Sequence, residues 1–153
     1  MTFLLTLILV VLTDQLSKWL IMESLSLYET INIIPGFFNL TYIHNPGAAF
    51  GLFAGNGEGW RLWFFVVAAL IALVAIISLY RYYKNKGLLY ALCLGLIGGG
   101  AVGNLIDRFR FGSVVDFLDF YIGPHHWPAF NLADSAICLG IGFFVWVGFF
   151  HNN

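Results

Sequence analysis

The chain has 153 residues, of which 60% are apolar and 10% are charged, and its formal net charge is −1. Charged residues make up about 25% of a typical soluble domain, so this composition excludes an ordinary soluble fold and favours a membrane protein. The near-neutral charge also argues against nucleic acid as a partner, because its phosphates are bound by clustered basic residues.

Four segments are long and apolar enough to cross a bilayer as helices. A spanning helix needs about 20 mainly apolar residues, and residues 3–22, 60–80, 88–106 and 132–150 meet this requirement. We expect the first segment to remain in the protein rather than to be a cleaved signal peptide. It lacks a basic start and a small-residue cleavage site, and it contains Asp14. The predicted fold class is a membrane all-α protein with four transmembrane helices.

The segment between the first two predicted helices, residues 23–59, carries a β pattern. Apolar residues alternate within two short runs, at Ile31 and Ile33 and again at Phe38, Leu40 and Tyr42, as in strands with one buried face. The Pro-Gly pair at 35–36 predicts a turn between two strands. Because the segment is too apolar to float in water, we expect a small periplasmic sheet that lies on the membrane surface.

The basic residues predict the orientation of the chain. Three of them and no acid occupy the short loop 81–87, which is the pattern of a cytoplasmic loop. Both termini then face the cytoplasm, and the segments 23–59 and 107–131 lie outside. We expect residues 1–153 to form a single integral-membrane domain that is monomeric.

The polar residues at membrane depth gather on the outer side of this predicted topology. An ionisable group there costs about 2.5–3.5 kcal/mol on insertion scales, so it needs a partner or a function. One shared site explains the grouping better than independent accidents do. The residues are Asp14, Lys18, Asn45, Asn104, Asp107, Arg108, Asp116, Asp119, Asn131 and Asp134.

Two ion pairs would give several of these residues a structural role. Asp14 and Lys18 are four residues apart on one helical face, where they can neutralise each other. Asp107 stands beside Arg108 at a helix end and suggests a second pair.

Capping and packing account for other residues. Asn131 or Asp134 can cap the start of the fourth helix. Gly95, Gly99 and Gly103 form the small-xxx-small pattern that allows membrane helices to approach closely.

Carboxylates are the reactive groups that the predicted site holds in quantity. Cys93 and Cys138 lie in apolar runs without an activating neighbour, and the adjacent His125 and His126 have no third ligand at a metal-binding spacing. Two carboxyl groups held close together have different pKa values, because both cannot ionise easily. One can therefore activate water while the other protonates a substrate. This aspartic hydrolysis needs no metal and no cofactor.

Four motifs in chain order resemble those of the lipoprotein signal peptidase family, also called signal peptidase II, along nearly the whole chain. They read TDQLSK at 13–18, NL at 39–40 with NPGAAFG at 45–51, GGAVGNLIDR at 99–108 with VVDF at 114–117, and PAFNLADS at 128–135.

The resemblance implies an aspartic endopeptidase of the bacterial inner membrane. Its partners would be membrane lipid and prolipoproteins whose cysteine already carries diacylglycerol, with cleavage just before that cysteine. It implies that Asp116 and Asp134 are the catalytic dyad. We assign supporting or substrate-binding roles to Asp14, Lys18, Asn45, Asn104, Asp107, Arg108 and Asn131.

The surroundings of the two dyad residues suggest different roles. Apolar neighbours on both sides of Asp116 should desolvate it and favour its protonated form. The helix start at Asp134 favours an ionised carboxylate. We therefore predict Asp134 as the base and Asp116 as the acid.

Two other classes of function compete with a protease. A proton or ion transporter places carboxylates near the midplane with paths to both sides, but the inner halves of the predicted helices lack acids. A non-catalytic scaffold held by glycine packing leaves carboxylates with apolar flanks unexplained. Cleavage of a lipidated precursor in detergent separates the three hypotheses.

Overall fold

The structure is a computed structural model that describes residues 1–47 and 58–150. Four of its helices are long and apolar enough to cross a membrane, and a small antiparallel sheet accompanies them, which confirms the predicted fold class. The helices are α1 (Thr2–Ser24), α2 (Glu58–Tyr83), α3 (Leu88–Phe111) and α4 (Leu132–Phe150).

Helix α3 is the centre of the bundle and packs against each of the other three helices. Its glycines allow this, because a Cβ atom added at Gly99 would lie 2.7 Å from Cβ of Val10 in α1. On another face, Gly140 of α4 approaches α3 so closely that an added Cβ would lie 2.9 Å from the carbonyl oxygen of Cys93. The packing role predicted for the glycine pattern is confirmed. Helix α2, in contrast, packs mainly against α3.

Aromatic rings join the four helices at one end of the bundle. Phe3 of α1 stacks on Tyr80 of α2 with ring centroids 4.3 Å apart, and Tyr83 stacks on Tyr90 of α3 at 4.5 Å. Phe144 of α4 meets Tyr83 edge-on at 5.3 Å. The starts of α1 and α3 therefore lie beside the ends of α2 and α4, so consecutive helices run in opposite directions.

The sheet lies at the opposite end of the bundle. Its strands are β1 (Thr30–Ile34), β2 (Phe38–Asn45), β3 (Val114–Ile122) and β4 (His125–His126), paired antiparallel in that order. The first two strands confirm the β pattern that the sequence shows, and β1 is exposed along its length.

Strand β3 was not predicted, although it pairs with β2 inside the sheet. Its first four residues are all buried, so apolar residues fall on both faces and the sequence does not alternate.

The turn between α3 and β3 positions the site. Helix α3 continues to Phe111 rather than ending near residue 106, which places Asp107 and Arg108 in its last turns. Gly112 then adopts a left-handed conformation (φ +72°) that glycine tolerates, and its N–H donates to the carbonyl oxygen of Arg108. The chain reverses direction at Gly112, so Asp116 on β3 faces the C-terminal end of α3.

Candidate active site

The polar end of the bundle holds two pairs of aspartates. One pair, Asp14 and Asp107, surrounds Lys18, and with Gln15 these residues form what we call the lysine cluster. The other pair, Asp116 and Asp134, lines an open cavity, and we call it the cavity pair. All nine residues assigned to the site from sequence belong to one of these groups, contact it or line the cavity, and they are Asp14, Lys18, Asn45, Asn104, Asp107, Arg108, Asp116, Asn131 and Asp134.

Lys18 is the centre of the lysine cluster. Its Nζ lies 2.9 Å from Oδ2 of Asp14, 2.7 Å from Oδ2 of Asp107 and 3.1 Å from Oδ1 of Asn104. Three acceptors thus match the three N–H groups of an ammonium. The predicted pair of Asp14 and Lys18 is confirmed. The predicted pair of Asp107 and Arg108 is wrong: in the described part of the chain Asp107 pairs with Lys18, because adjacent helix residues do not face each other.

The two carboxylates of the lysine cluster also accept hydrogen bonds from groups other than Lys18. Oδ1 of Asp14 accepts a bond of 3.0 Å from the N–H of Ala133 at the start of α4. Asp107 accepts from Nε2 of Gln15 at 2.9 Å and from the N–H of Val115 in β3 at 3.1 Å. The cluster therefore holds α1, α3, α4 and β3 together. Gln15 was missed from sequence, although it lies in the quoted TDQLSK motif.

Asn131 and Asp134 form a reciprocal cap at the start of α4. Oδ1 of Asn131 accepts from the N–H of Asp134 at 3.0 Å, and Oδ2 of Asp134 accepts from the N–H of Asn131 at 3.3 Å. This is the capping-box arrangement. Both residues predicted as alternative caps therefore act together, and Oδ1 of Asp134 still accepts a bond of 2.7 Å from Nδ2 of Asn104.

Asp116 is held by two amide side chains. Its Oδ2 accepts from Nδ2 of Asn45 at 2.9 Å, and its Oδ1 accepts from Nδ2 of Asn131 at 2.7 Å. Burial raises the pKa of Asp116 to about 7; the bond from Asn45 opposes this shift and the charge of Asp134 adds to it. The acid role predicted for Asp116 needs a carboxyl that keeps its proton near neutral pH, and this pKa supports it.

Two asparagines connect the lysine cluster to the cavity pair. Asn104 accepts from Lys18 and donates to Asp134. Asn131, which is fully buried, donates to both Asp116 and Asn104. A change at Lys18 therefore reaches the cavity pair through one intervening side chain.

The cavity has a volume of about 490 Å³ and combines a polar floor with apolar walls. Arg108 lines it beside the cavity pair, with Nη1 donating to the carbonyl oxygen of Asn104 at 3.2 Å and the guanidinium 5.0 Å from the ring centroid of Phe65. Its charge interacts most with Asp134 and less with Asp107 and Asp116. The apolar wall formed by residues 127–130 was not predicted.

Asp119 does not join this site, contrary to the grouping expected from sequence. It accepts from Nδ2 of Asn39 at 2.8 Å and contacts Nδ1 of His126 at 2.8 Å, on the sheet. Residues 48–51 of the NPGAAFG motif lie outside the described residues.

No group of three or more His, Cys, Asp or Glu side chains that could hold a metal occurs within residues 1–47 and 58–150. Chemistry without a metal or cofactor stays a prediction.

The four-helix fold and the cavity with its carboxylates are those of a membrane enzyme. A solved bacterial membrane enzyme, determined by the in meso method at 2.3 Å resolution, superposes with a TM-score of 0.83 at 32% identity, over 95% of this chain and 86% of that chain. The family description "Signal peptidase (SPase) II" matches residues 6–150, and the chain belongs to that family.

Similar proteins agree with this assignment. The lipoprotein signal peptidase of Desulforapulum autotrophicum is 51% identical over 137 residues, which cover 90% of this chain and 85% of that protein. The lipoprotein signal peptidase of Syntrophus aciditrophicus is 50% identical over 145 residues, which cover 94% of this chain and 89% of that protein.

Proposed function

We propose that this chain removes the signal peptides of bacterial prolipoproteins, cutting just before a cysteine that carries diacylglycerol. Membership of the signal peptidase II family supports the reaction. The observation that carries the proposal for this chain is the cavity pair, because two carboxylates from different elements face one cavity and are held by amide side chains.

The proposed reaction uses a water molecule between Asp116 and Asp134. The water oxygen attacks the scissile carbonyl carbon while ionised Asp134 takes a proton from the water. Asp116 gives its proton to the carbonyl oxygen. The resulting diol collapses when Asp134 passes the proton to the amide nitrogen and Asp116 regains one from a diol hydroxyl. The carbon–nitrogen bond breaks, and both aspartates return to their starting states.

The contacts of each aspartate support this division of roles. The raised pKa of Asp116, caused chiefly by burial, keeps it protonated near neutral pH. Asp134 sits in the first turn of α4, where the helix dipole and the N–H of Asn131 favour a negative charge. Arg108 adds a positive charge near Asp134.

We further infer that both termini face the cytoplasm and that the cavity opens at the outer face of the bacterial cytoplasmic membrane. The basic loop that holds Lys84 and Lys86 lies at the aromatic end of the bundle, opposite the cavity, and basic loops favour the cytoplasm. We also propose that the protein works as a monomer.

Cysteine labelling tests this orientation. Asn85→Cys, Glu29→Cys and His125→Cys, in a background without Cys93 and Cys138, are treated in spheroplasts with a membrane-impermeant thiol reagent. Positions 29 and 125 should react, and position 85 should react only after the membrane is opened. The reverse pattern would put the cavity on the cytoplasmic side and contradict the proposal.

Cleavage by the purified protein in detergent tests the reaction itself. A precursor peptide with a diacylglyceryl cysteine should be cut just before that cysteine, as mass spectrometry of the products shows, and a chelator should leave the rate unchanged. The same peptide without lipid is the matched control and should be cut slowly or not at all. Failure to cut the lipidated peptide would overturn the proposal.

A further inference from the structure

A second, apolar groove runs along α4 from the cavity toward the aromatic end of the bundle. Its volume is about 340 Å³, and we call it the α4 groove, lined by Cys138, Leu139, Gly142, Phe143 and Trp146. Cys138 also lines the cavity that holds the cavity pair. The groove therefore begins where the cavity ends.

The groove is aligned with the reactive carboxylate. Cys138, Gly142 and Trp146 follow Asp134 at spacings of four residues, which places all four on one face of the helix. From Cys138 to Trp146 the helix rises about 12 Å at 1.5 Å per residue. An occupant of the groove thus points from Asp134 into the hydrocarbon of the membrane.

Gly142 makes the groove possible and is not needed for helix packing. A Cβ added at Gly140, two residues earlier, would lie 2.7 Å from Cγ1 of Ile97 in α3, so helix contact explains that glycine. A Cβ added at Gly142 would meet nothing within 4 Å. Its missing side chain instead leaves a gap between Leu139 and Trp146, both about half exposed.

We propose that the α4 groove binds one acyl chain of the substrate's diacylglyceryl group. The proposal rests on the proposed function, since a cysteine-linked lipid at the scissile bond must leave the cavity toward hydrocarbon. The groove is continuous with the cavity, apolar, and directed away from the polar end. Contact along α4 therefore orients the lipidated cysteine beside Asp134, and chain length becomes a determinant of substrate binding.

Filling the groove tests the proposal. The substrates are one precursor peptide with either two palmitoyl or two hexanoyl chains on its glyceryl cysteine. Gly142→Phe should raise KM about tenfold for the palmitoyl peptide, equivalent to about 1.4 kcal/mol, with little change in kcat and little change for the hexanoyl peptide. The matched control is Ala68→Phe in a groove of about 360 Å³ on α2, which shares no described lining residue with the cavity.

Equal KM values for Gly142→Phe and Ala68→Phe would overturn the groove assignment, and so would a loss of kcat that is the same for both chain lengths. These results count against the groove only if the wild-type protein cleaves both peptides. A wild-type protein that cleaves neither peptide would contradict the proposed function instead.

A crosslinking measurement covers the case in which Gly142→Phe does not fold. An Asp134→Asn protein, which retains the groove, is irradiated with the palmitoyl peptide carrying a diazirine midway along its acyl chains. Mass spectrometry should place the adducts on residues 138–146 of α4, and the hexanoyl peptide should compete poorly. Adducts on α2, or spread evenly over the four helices as for a bulk lipid, would overturn the proposal.

Discussion

The lysine cluster and the cavity pair each contain two aspartates at the same end of one small bundle, yet their surroundings differ. Asp14 and Asp107 are 0% and 1% exposed and share the charge of Lys18. Asp116 and Asp134 are held by neutral amides and border a cavity. Lys18 uses all its N–H donors on its partners, so the aspartates of the lysine cluster have a structural role. The amide side chains that hold the cavity pair leave its carboxyl groups able to exchange a proton with a substrate.

The sharpest test of this difference is to neutralise the cavity pair. Asp134→Asn or Asp116→Asn keeps the side-chain shape but removes a proton-transfer group, so turnover of a lipidated precursor should fall by about 10²–10⁴-fold or more. The melting temperature in detergent should change little. Asp119→Asn, on the sheet outside the cavity, is the control and should keep its activity. Substantial turnover by either cavity variant would refute the assignment.

Removing the countercharge should instead break the lysine cluster. Lys18→Met leaves Asp14 and Asp107 buried without their partner, and we expect a loss of about 3–5 kcal/mol in the free energy of unfolding, as for other broken buried pairs. Chemical unfolding in detergent measures it, with the exposed Lys84→Met as control.

Adding Asp14→Asn and Asp107→Asn to Lys18→Met should restore part of that stability, because no buried charge is then left alone. A Lys18→Met protein as stable as wild type would show that the cluster contributes no such energy.

Close packing around the lysine cluster predicts a smaller effect. A Cβ added at Gly103 would lie 2.5 Å from Oδ2 of Asp14, so Gly103→Ala should lower the free energy of unfolding by about 1–3 kcal/mol. Gly142→Ala, where a Cβ meets nothing within 4 Å, should be neutral or slightly stabilising in the same unfolding experiment. Equal effects of the two substitutions would contradict the packing described for α1 and α3.

The smallest effect concerns pH. As the pH rises through about 7, Asp116 loses the proton that its acid role requires, so kcat/KM should fall. Asn45→Ala removes a bond that favours ionised Asp116, so the pKa of Asp116 should rise and this fall should move to higher pH. Asn32→Ala, which removes bonds to Asn39 and Tyr121, should leave the profile in place. If the fall in kcat/KM stays at the same pH in Asn45→Ala, a group other than Asp116 causes it.

Local patterns made parts of the molecule predictable. Helix α4 has the predicted bounds because an uninterrupted apolar run follows the capping residues Asn131 and Asp134. The pair of Asp14 and Lys18 followed from helical spacing alone. The resemblance to a family supplied the proposed assignment of Asp116 and Asp134 as a dyad, which spacing could not have suggested.

Contacts between segments that are distant in sequence could not be predicted. The partner of Asp107 is Lys18, 89 residues earlier, and nothing near Asp107 in sequence indicates it. Strand β3 carries no alternation because its start is buried on both faces. These features depend on how α1, α3 and the sheet meet, which a local pattern does not encode.

The peripheral place of α2 has a consequence for how such a protein can change over generations. Among the described residues, α2 packs mainly against α3, and its Phe65 ring lies 5.0 Å from the guanidinium of Arg108, which lines the cavity. Mutations on its lipid-facing side should therefore leave the lysine cluster and the cavity pair in place. We therefore expect the lipid-facing side of α2 to tolerate substitution when the surrounding membrane differs in thickness or fluidity, whereas α3, crowded by glycine contacts on several faces, should tolerate little.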